Sequence, residues 1–536
     1  MIRLRGAHSL HSFGLCALAL LVAMGTPCAR AADSPAPSTY ALKVVEALPP
    51  YEPKEQVTGT IRLWGHGSPK HDFLGKLLHR WDRDFHRYQP YVTIVNDMYG
   101  TASAVGALYT GAGDLALLGE EISPAAEAAF KRERHYEPTL FEIATGNVDV
   151  NYFDYAHMVF VNRANPLDRL TLPQLARILG EPPPGQGSGP IRTWGQLGLK
   201  GAWAQRRIQP YSWKVGQDFA LFLQARVLGG SIPWNPQVRQ FVTYDRPDGT
   251  IIDRGEQILT ALAHDPSGIA ISNARFANPS VKILKLAATS SGPYVSPSVQ
   301  TLIAQQYPLT RIIPAIVDVP PGQPLNPSIR EFLRFLLSRQ GQRALIEASG
   351  YLPLGPEYVR EQLRKLDALS RCRAAEGCRP LGKGEPTALR AEELQSGPGH
   401  PLNGVIRVWG NPLFRTLGQQ WAERFRASHP RDRVAFHMTG SDTGMAGLYS
   451  GEADIALLDR AASASERQAF EWVFRHPLTC IEIPLSGVEA ASRSTDGALV
   501  YVYRNSGQGT QPLAPTFLQY VLSQSRQTAR PCASTQ

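Results

Sequence analysis

Gly100-Thr101 is the pair whose residue types first suggest binding chemistry. It stands before the apolar helical run "SAVGALY", and the chain then passes through "DLALLG" to Glu120-Glu121. A helix start offers unpaired N–H groups and a partial positive charge. A glycine there lets an anion approach the backbone, and a Thr hydroxyl adds a donor. The pattern fits an oxyanion turn. The alternative is an ordinary cap, with Thr101 bonding its own backbone. The same order of types returns in "GSDTGMAGLYSGEADIALLDRA", from Gly440 to Ala461. His66, His71 and Asp72 could suggest a metal site or a catalytic dyad, but their spacing fits no ligand pattern. Nucleophile-elbow, Ser-x-x-Lys, His-Glu-x-x-His and Walker patterns are missing from the sequence. Binding without catalysis, metal or cofactor is the expectation.

The elements that must position this turn can be read from periodicity. "TIRLWG" is a β-branched run ending in glycine and predicts a strand. "LGKLLHRWDRDFHRY" has apolar residues at helical spacing. "YVTIVND" alternates as a strand, and "ASAVGALYTG" reads as a helix closed by glycine. "DLALLG" reads as a buried strand, and "SPAAEAAFKRE" opens with Ser-Pro, a helix start. Strands alternating with helices predict an α/β sheet.

Much of this pattern occurs twice. Trp81 and Trp421, Phe85 and Phe425, Gly100 and Gly440, Asp114 and Asp454, and Phe130 and Phe470 are each 340 positions apart. "IRLWG" at Ile61 and "IRVWG" at Ile406 are 345 apart, so the first copy carries about five extra residues after its first strand. Beyond about Gly487 the second copy jumps: "FLQYVLS" at Phe517 resembles "FLRFLLS" at Phe332, and "GALVYVYRN" resembles "LTRIIPAIVDV". A counterpart of roughly Tyr155 to Gln305 is missing. The reading is a two-lobed first unit followed by one lobe alone.

A chain of 536 residues is too long for one core. Arg3 and Arg5, the apolar stretch Phe13 to Gly25 and the small-x-small site Ala29 to Ala31 predict an export signal over residues 1–31. A retained anchor is the alternative. Removal of Arg3, Arg5 and Arg30 lowers the net charge from +9 to +6. The remaining basic residues are scattered without interleaved aromatics, so nucleic acid is not an expected partner. Cys372, Cys378, Cys480 and Cys532 would remain, an even set that predicts disulfides in an exported protein. Three pairings are open, the simplest being Cys372–Cys378 and Cys480–Cys532.

Over about Thr58 to Lys365 the chain resembles the phosphate-type, PstS-like solute-binding proteins of ABC transporters. The segments that carry the resemblance are "GTASAVGALYTGAGDLALLGEE", "YAHMVFVNRANPLDRLTLPQLARIL", "IRTWGQLG", "GIAISNARFA" and "YPLTRIIPAIV", in family order. The resemblance implies a two-lobed periplasmic-binding-protein fold of type II, followed here by a single-lobe α/β partial repeat. It places an extension at 32–57, lobe I at about 58–154 and 306–365, lobe II at about 155–305, a linker at 366–401 and the partial repeat at 402–536. The implied ligand is inorganic phosphate or a related oxyanion held between the lobes in the periplasm, with an ABC permease as partner. A protein partner of the partial repeat, and an envelope sensor that has lost transport-grade binding, stand as the alternative role.

The resemblance also proposes site residues. Gly100 and Thr101 fall on the family's ligand turn. Its Thr-Phe pair falls on Asp72-Phe73; Phe73 agrees, Asp72 is unfavourable beside an anion, and Ser68 could substitute. The family's Arg before a Ser-Gly-Thr helix start falls on Tyr211, with Val215-Gly216-Gln217 as the triplet and Lys214 as a replacement charge. Its aspartate, which accepts the proton of hydrogen phosphate and rejects sulfate, falls on Gly119, so Glu120 would serve after a small shift. The competing reading of Glu120-Glu121 is a solvated acidic pair. In the partial repeat, Ser441 and Asp459 hold the Thr101 and Gly119 positions.

Overall fold

The first sheet forms where the periodicity placed it. The computed structural model describes residues 38–65, 74–119, 121–148, 156–182, 189–215, 219–246, 250–370, 405–484, 499–504, 513–524 and 530–532, all within one compact unit, 34–536. Strands β1 (Thr58–Gly65), β2 (Tyr91–Asp97), β3 (Leu115–Leu117) and β4 (Thr139–Thr145) precede a long excursion. That excursion carries β5 (Met158–Asn162), β6 (Arg169–Thr171), β7 (Gln209–Trp213), β8 (Arg239–Phe241), β9 (Tyr244–Asp245), β10 (Ile251–Ile252), β11 (Gly268–Ser272), β12 (Val281–Ile283) and β13 (Lys285–Ala287). The chain then returns as β14 (Ile312–Val317), giving a first sheet of order β2-β1-β3-β14-β4. A second sheet, β12-β5-β11-β7-β8, is built wholly from the excursion. Two lobes therefore share crossing segments, where Gly146 N–H donates to the Arg311 carbonyl at 3.0 Å and Thr145 bridges Leu352.

The C-terminal part forms a third sheet from β15 (Val405–Gly410), β16 (Arg433–Met438), β17 (Ile455–Leu458), β18 (Thr479–Pro484), β19 (Leu499–Arg504) and β20 (Arg530–Pro531). Its order is β16-β15-β17-β19-β18-β20, and strand directions through β18 match those of the first sheet. Details match as well. Arg62 clasps Asp114 through its backbone N–H and guanidinium, and Arg407 clasps Asp454 in the same way. Gly65 (φ +148°) and Gly410 (φ +155°) end the first strand of each sheet. A β-carbon there would lie 1.8 Å from the Leu117 carbonyl oxygen and 2.1 Å from that of Leu457, so only glycine lets these strands approach. Cys480 and Cys532 form a disulfide with Cα atoms 5.4 Å apart. Cys372, Cys378 and the predicted signal lie outside the described residues.

Among the described residues, four large hydrophobic cores follow from this layout. One fills the second lobe around Phe160, Trp194 and Ile269, and another lies under the first sheet around Trp81, Phe85 and Phe332. A separate core belongs to the C-terminal sheet, around Val408, Phe425 and Val502. The fourth is shared. Val105, Leu108 and Phe130 of the first lobe pack with Met445, Leu448, Tyr449 and Phe470 of the C-terminal part.

Two expected boundaries shift. The helix Pro356–Ala368 runs past residue 365, because Leu366 is buried under the first sheet and Asp367 pairs with Arg334 at 2.8 Å. Residues read as an extension also belong to the fold: Val45 and Leu48 are buried, and the Tyr51 hydroxyl donates to Glu331 at 3.0 Å. Among the described residues no helix is long and apolar enough to cross a membrane.

Candidate functional site

The helix Thr101–Thr110 begins where β2 ends, and Gly100 supplies the break. Its φ of +93° is left-handed, and its N–H donates to the Gly65 carbonyl at 2.8 Å. No side chain caps the helix. Ser103 turns back to donate to the Gly100 carbonyl at 2.9 Å. Thr101 does not bond its own helix start, as the plain-cap reading requires. Its Oγ1 accepts from Gly119 N–H at 3.2 Å, which ties the first turn to the chain leaving β3.

That link leads to Glu121. In the competing reading it is a solvated neighbour of Glu120, but it accepts a hydrogen bond from Ile312 N–H at 3.1 Å through Oε1. Its Oε2 is out of contact with solvent and accepts no hydrogen bond from the described residues. Burial raises the carboxyl to about 7, although Ile312, Arg311 and Arg226 pull the other way. Glu121 can therefore hold or release a proton near neutral pH.

The return strand brings Arg311 to the same place. Arg311 is fully buried, and its guanidinium carbon lies 5.0 Å from the centre of the Phe219 ring. Arg254, at the start of the helix Arg254–Ala263, flanks the same ring at 5.1 Å. Phe219 belongs to the helix Phe219–Arg226. Both arginines have further partners. His157, buried against Trp213, Phe219 and Phe222, is held well below its usual range by burial and by these two cations, so it is neutral. Thr101, Gly119, Glu121, Arg311 and Phe219 thus form a connected line from the first lobe to the helix Phe219–Arg226 in the second.

Of the residues proposed from the sequence, Gly100 and Thr101 meet at the helix start, while Lys214 is exposed just after β7. Ser68, Phe73, Glu120, Gly216 and Gln217, with Asp72 and both histidines of the alternative cluster, lie outside the described residues. Tyr211 is turned into the second lobe: its hydroxyl donates to Asp265 at 2.9 Å and Arg239 covers its ring. Val215 N–H donates to Gln240 at 2.9 Å. Glu121, Arg311 and Arg254 were missed. The buried apolar runs around them carried no sign that these charges converge from segments up to 190 residues apart.

The C-terminal turn is arranged differently. Ser441 Oγ donates to Asp459 Oδ1 at 2.6 Å, and Asp459 N–H donates back to that oxygen at 3.3 Å. Asn411 Nδ2 donates to the same Oγ at 3.3 Å. Asp442, in the first turn of the helix Ser441–Ser450, pairs with Arg460 and with Arg132 of the first lobe. One carboxylate takes the Ser441 hydroxyl, and the two together repel an added anion.

No protein-family model matches the chain. Among curated proteins it is similar to the phosphate-binding protein PstS of two Pseudomonas aeruginosa strains, each 26% identical over 321 residues, which is 60% of this chain and 91% of the relative. Among solved structures, PstS from Borrelia burgdorferi matches at 16% identity over 56% of this chain and 99% of that one, with a TM-score of 0.38. An ABC-type phosphate transport receptor from Vibrio cholerae matches at 16% identity over 55% and 99%, with a TM-score of 0.36. Over the span shared with these relatives the chain is PstS-like.

Proposed function

We propose that this PstS-like chain captures phosphate, or a related oxyanion, between its two lobes in the periplasm and hands it to an ABC permease. The chain spans most of the length of a phosphate-binding relative, which supports the assignment. The observation that carries it is the line from the Thr101 helix start to the buried Glu121 carboxyl beside Arg311. First-turn amides would take the anion's oxygens, as helix starts do. Lys214 and the sequence candidates Ser68, Phe73, Gly216 and Gln217 complete the proposed shell. Arg311 and Arg254 replace the charge that Tyr211 cannot supply.

Glu121, with Glu120 beside it, would select the ligand. Above about pH 7 the carboxylate accepts the proton that dibasic phosphate still carries, whereas sulfate has none to give and is repelled. Titration calorimetry with phosphate and sulfate at about pH 6 and about pH 8.5 tests this. Phosphate is expected to bind at both, and sulfate to compete only at the lower pH, where Glu121 holds its own proton. Glu121→Gln should admit sulfate at both. Binding of neither anion at either pH overturns the reading.

A second reading, an envelope sensor or scaffold, draws support from one observation. The family's arginine position is Tyr211, whose hydroxyl is already committed to Asp265. Micromolar-range phosphate binding would count against it, and a permease co-purifying with the chain would settle for transport. Hydrolysis of phosphate esters by the purified chain would overturn both.

A further inference from the structure

The first-lobe turn is walled by a residue from the other part of the chain. A β-carbon at Gly100 would lie 2.6 Å from the Trp472 ring, so the indole sits flush against the backbone that opens the Thr101 helix. Trp472 belongs to the helix Ala464–Phe474 of the C-terminal part. The contact has a mirror image. A β-carbon at Gly440 would lie 2.7 Å from the Arg132 guanidinium, and Arg132 belongs to the helix Pro124–Arg134 of the first lobe. Gly100 and Gly440 are 340 positions apart, and so are Arg132 and Trp472. Between them Tyr109 and Tyr449, also 340 apart, bond through their hydroxyls deep in the shared core. The two regions therefore face each other about an approximate twofold axis, each laying a helix residue on the other's turn.

The residue types at these mirrored places differ, and the difference has a direction. Arg132 reaches Asp442 at 3.1 Å and neutralises an acidic turn that is already filled. Trp472 offers the Gly100 turn an uncharged, rigid face on the side of the glycine α-carbon. The N–H of the same glycine is held by the Gly65 carbonyl at 2.8 Å. A left-handed glycine with no side-chain cap is the loosest kind of helix start, and it is clamped here between a strand end and an indole.

We infer that Trp472 is a positioning residue for the anion turn, so that the C-terminal part is a working component of the first-lobe site. This rests on the phosphate reading above. By holding Gly100 it keeps the first-turn amides aimed before the anion arrives, which lowers the ordering cost of binding.

The test uses the full chain and inorganic phosphate, read by calorimetry, and exploits the mirror. Trp472→Ala should weaken phosphate binding roughly 3- to 30-fold. Trp472→Phe should recover most of it. Arg132→Ala loosens the same interface at its far end and should leave the affinity within about twofold. If Trp472→Ala folds poorly, Trp472→Leu should give the same ordering. An unchanged affinity in the Trp472 variants overturns the inference, and equal losses in Trp472→Ala and Arg132→Ala do so too, since they would show only general adhesion. If the unaltered chain binds no phosphate, the phosphate reading fails by itself. Hydrogen exchange of the amides of residues 101–103 then decides the brace: faster exchange in Trp472→Ala than in Arg132→Ala supports it, and equal exchange overturns it.

Discussion

The turns at Gly100-Thr101 and Gly440-Ser441 share order, length and sheet position, yet their chemistry is opposed. The first is held by backbone and by an indole, and the Glu121 carboxyl, two residues beyond its Gly119 partner, is raised to about 7. The second is held by carboxylates, with Asp459 on Ser441 and Asp442 between two arginines. One local fold can thus be an open donor site or a closed internal clasp. The choice depends on which acids face the helix start and on what the neighbouring part of the chain lays over it.

The largest effects should come from the core that both turns stand on. Phe130 and Phe470 are each fully buried in it, one from either side. Replacing either by Ala should cost about 3–5 kcal/mol. Because the core is shared, both variants should lower a single cooperative denaturant transition. A transition that splits in two, with Phe470→Ala affecting only the weaker part, would show that the C-terminal part folds apart from the lobe it covers.

Glu133 joins the two sides at somewhat lower stakes. It accepts from His437 Nε2 at 2.8 Å and from Thr443 Oγ1 at 2.9 Å, and its side chain is almost fully buried. Burial pushes its carboxyl up, but the His437, Thr439 and Thr443 contacts outweigh this and hold it below its usual range. A depressed carboxylate contributes stability above its unfolded value and loses it as pH falls through the folded one. Glu133→Gln should therefore destabilise the chain by about 2–3 kcal/mol near neutral pH and by less in acid. A penalty that does not shrink on acidification would place the contribution in packing and not in charge.

How much of this could be read in advance differs between the two turns. Strands, helices and the offset of 340 were legible because they rest on local periodicity and on self-comparison. The helix from Gly100 followed from "SAVGALYTG", and its αL end at Gly111 from that glycine. Glu121 was not legible: its burial depends on Ile312 and Arg311, which arrive from the return strand. Tyr211 shows a finer limit. A strand position names a residue but not the face it takes, and here the side chain faces Asp265. Trp472 carries no sign of such a role in the sequence, because the role exists only once its helix lies across Gly100.

Glu121 offers a second pH test with the opposite sign. Its folded value is raised from 4.5 to about 7, so the folded state holds a proton that the unfolded chain has already lost. Stability should fall as pH rises from about 4.5 to about 7 and then level off, by an amount on the order of 3 kcal/mol. Glu121→Gln should flatten this slope in the ligand-free chain. An unchanged slope would mean that Oε2 meets water, and would remove the basis for its selectivity.

The smallest effect sharpens the comparison most. Asp459→Ala breaks the bond from Ser441 Oγ and frees one donor at the C-terminal turn. The stability cost should be about 1 kcal/mol. If an exposed helix start were sufficient for capture, this variant would gain a second phosphate site. It should not gain one, because Asp442 stays in the first turn of the helix, paired with Arg460 and Arg132. Calorimetry should still report one phosphate per chain. A second site would mean that Asp459 alone, and not the whole acidic arrangement, closes the turn to an anion.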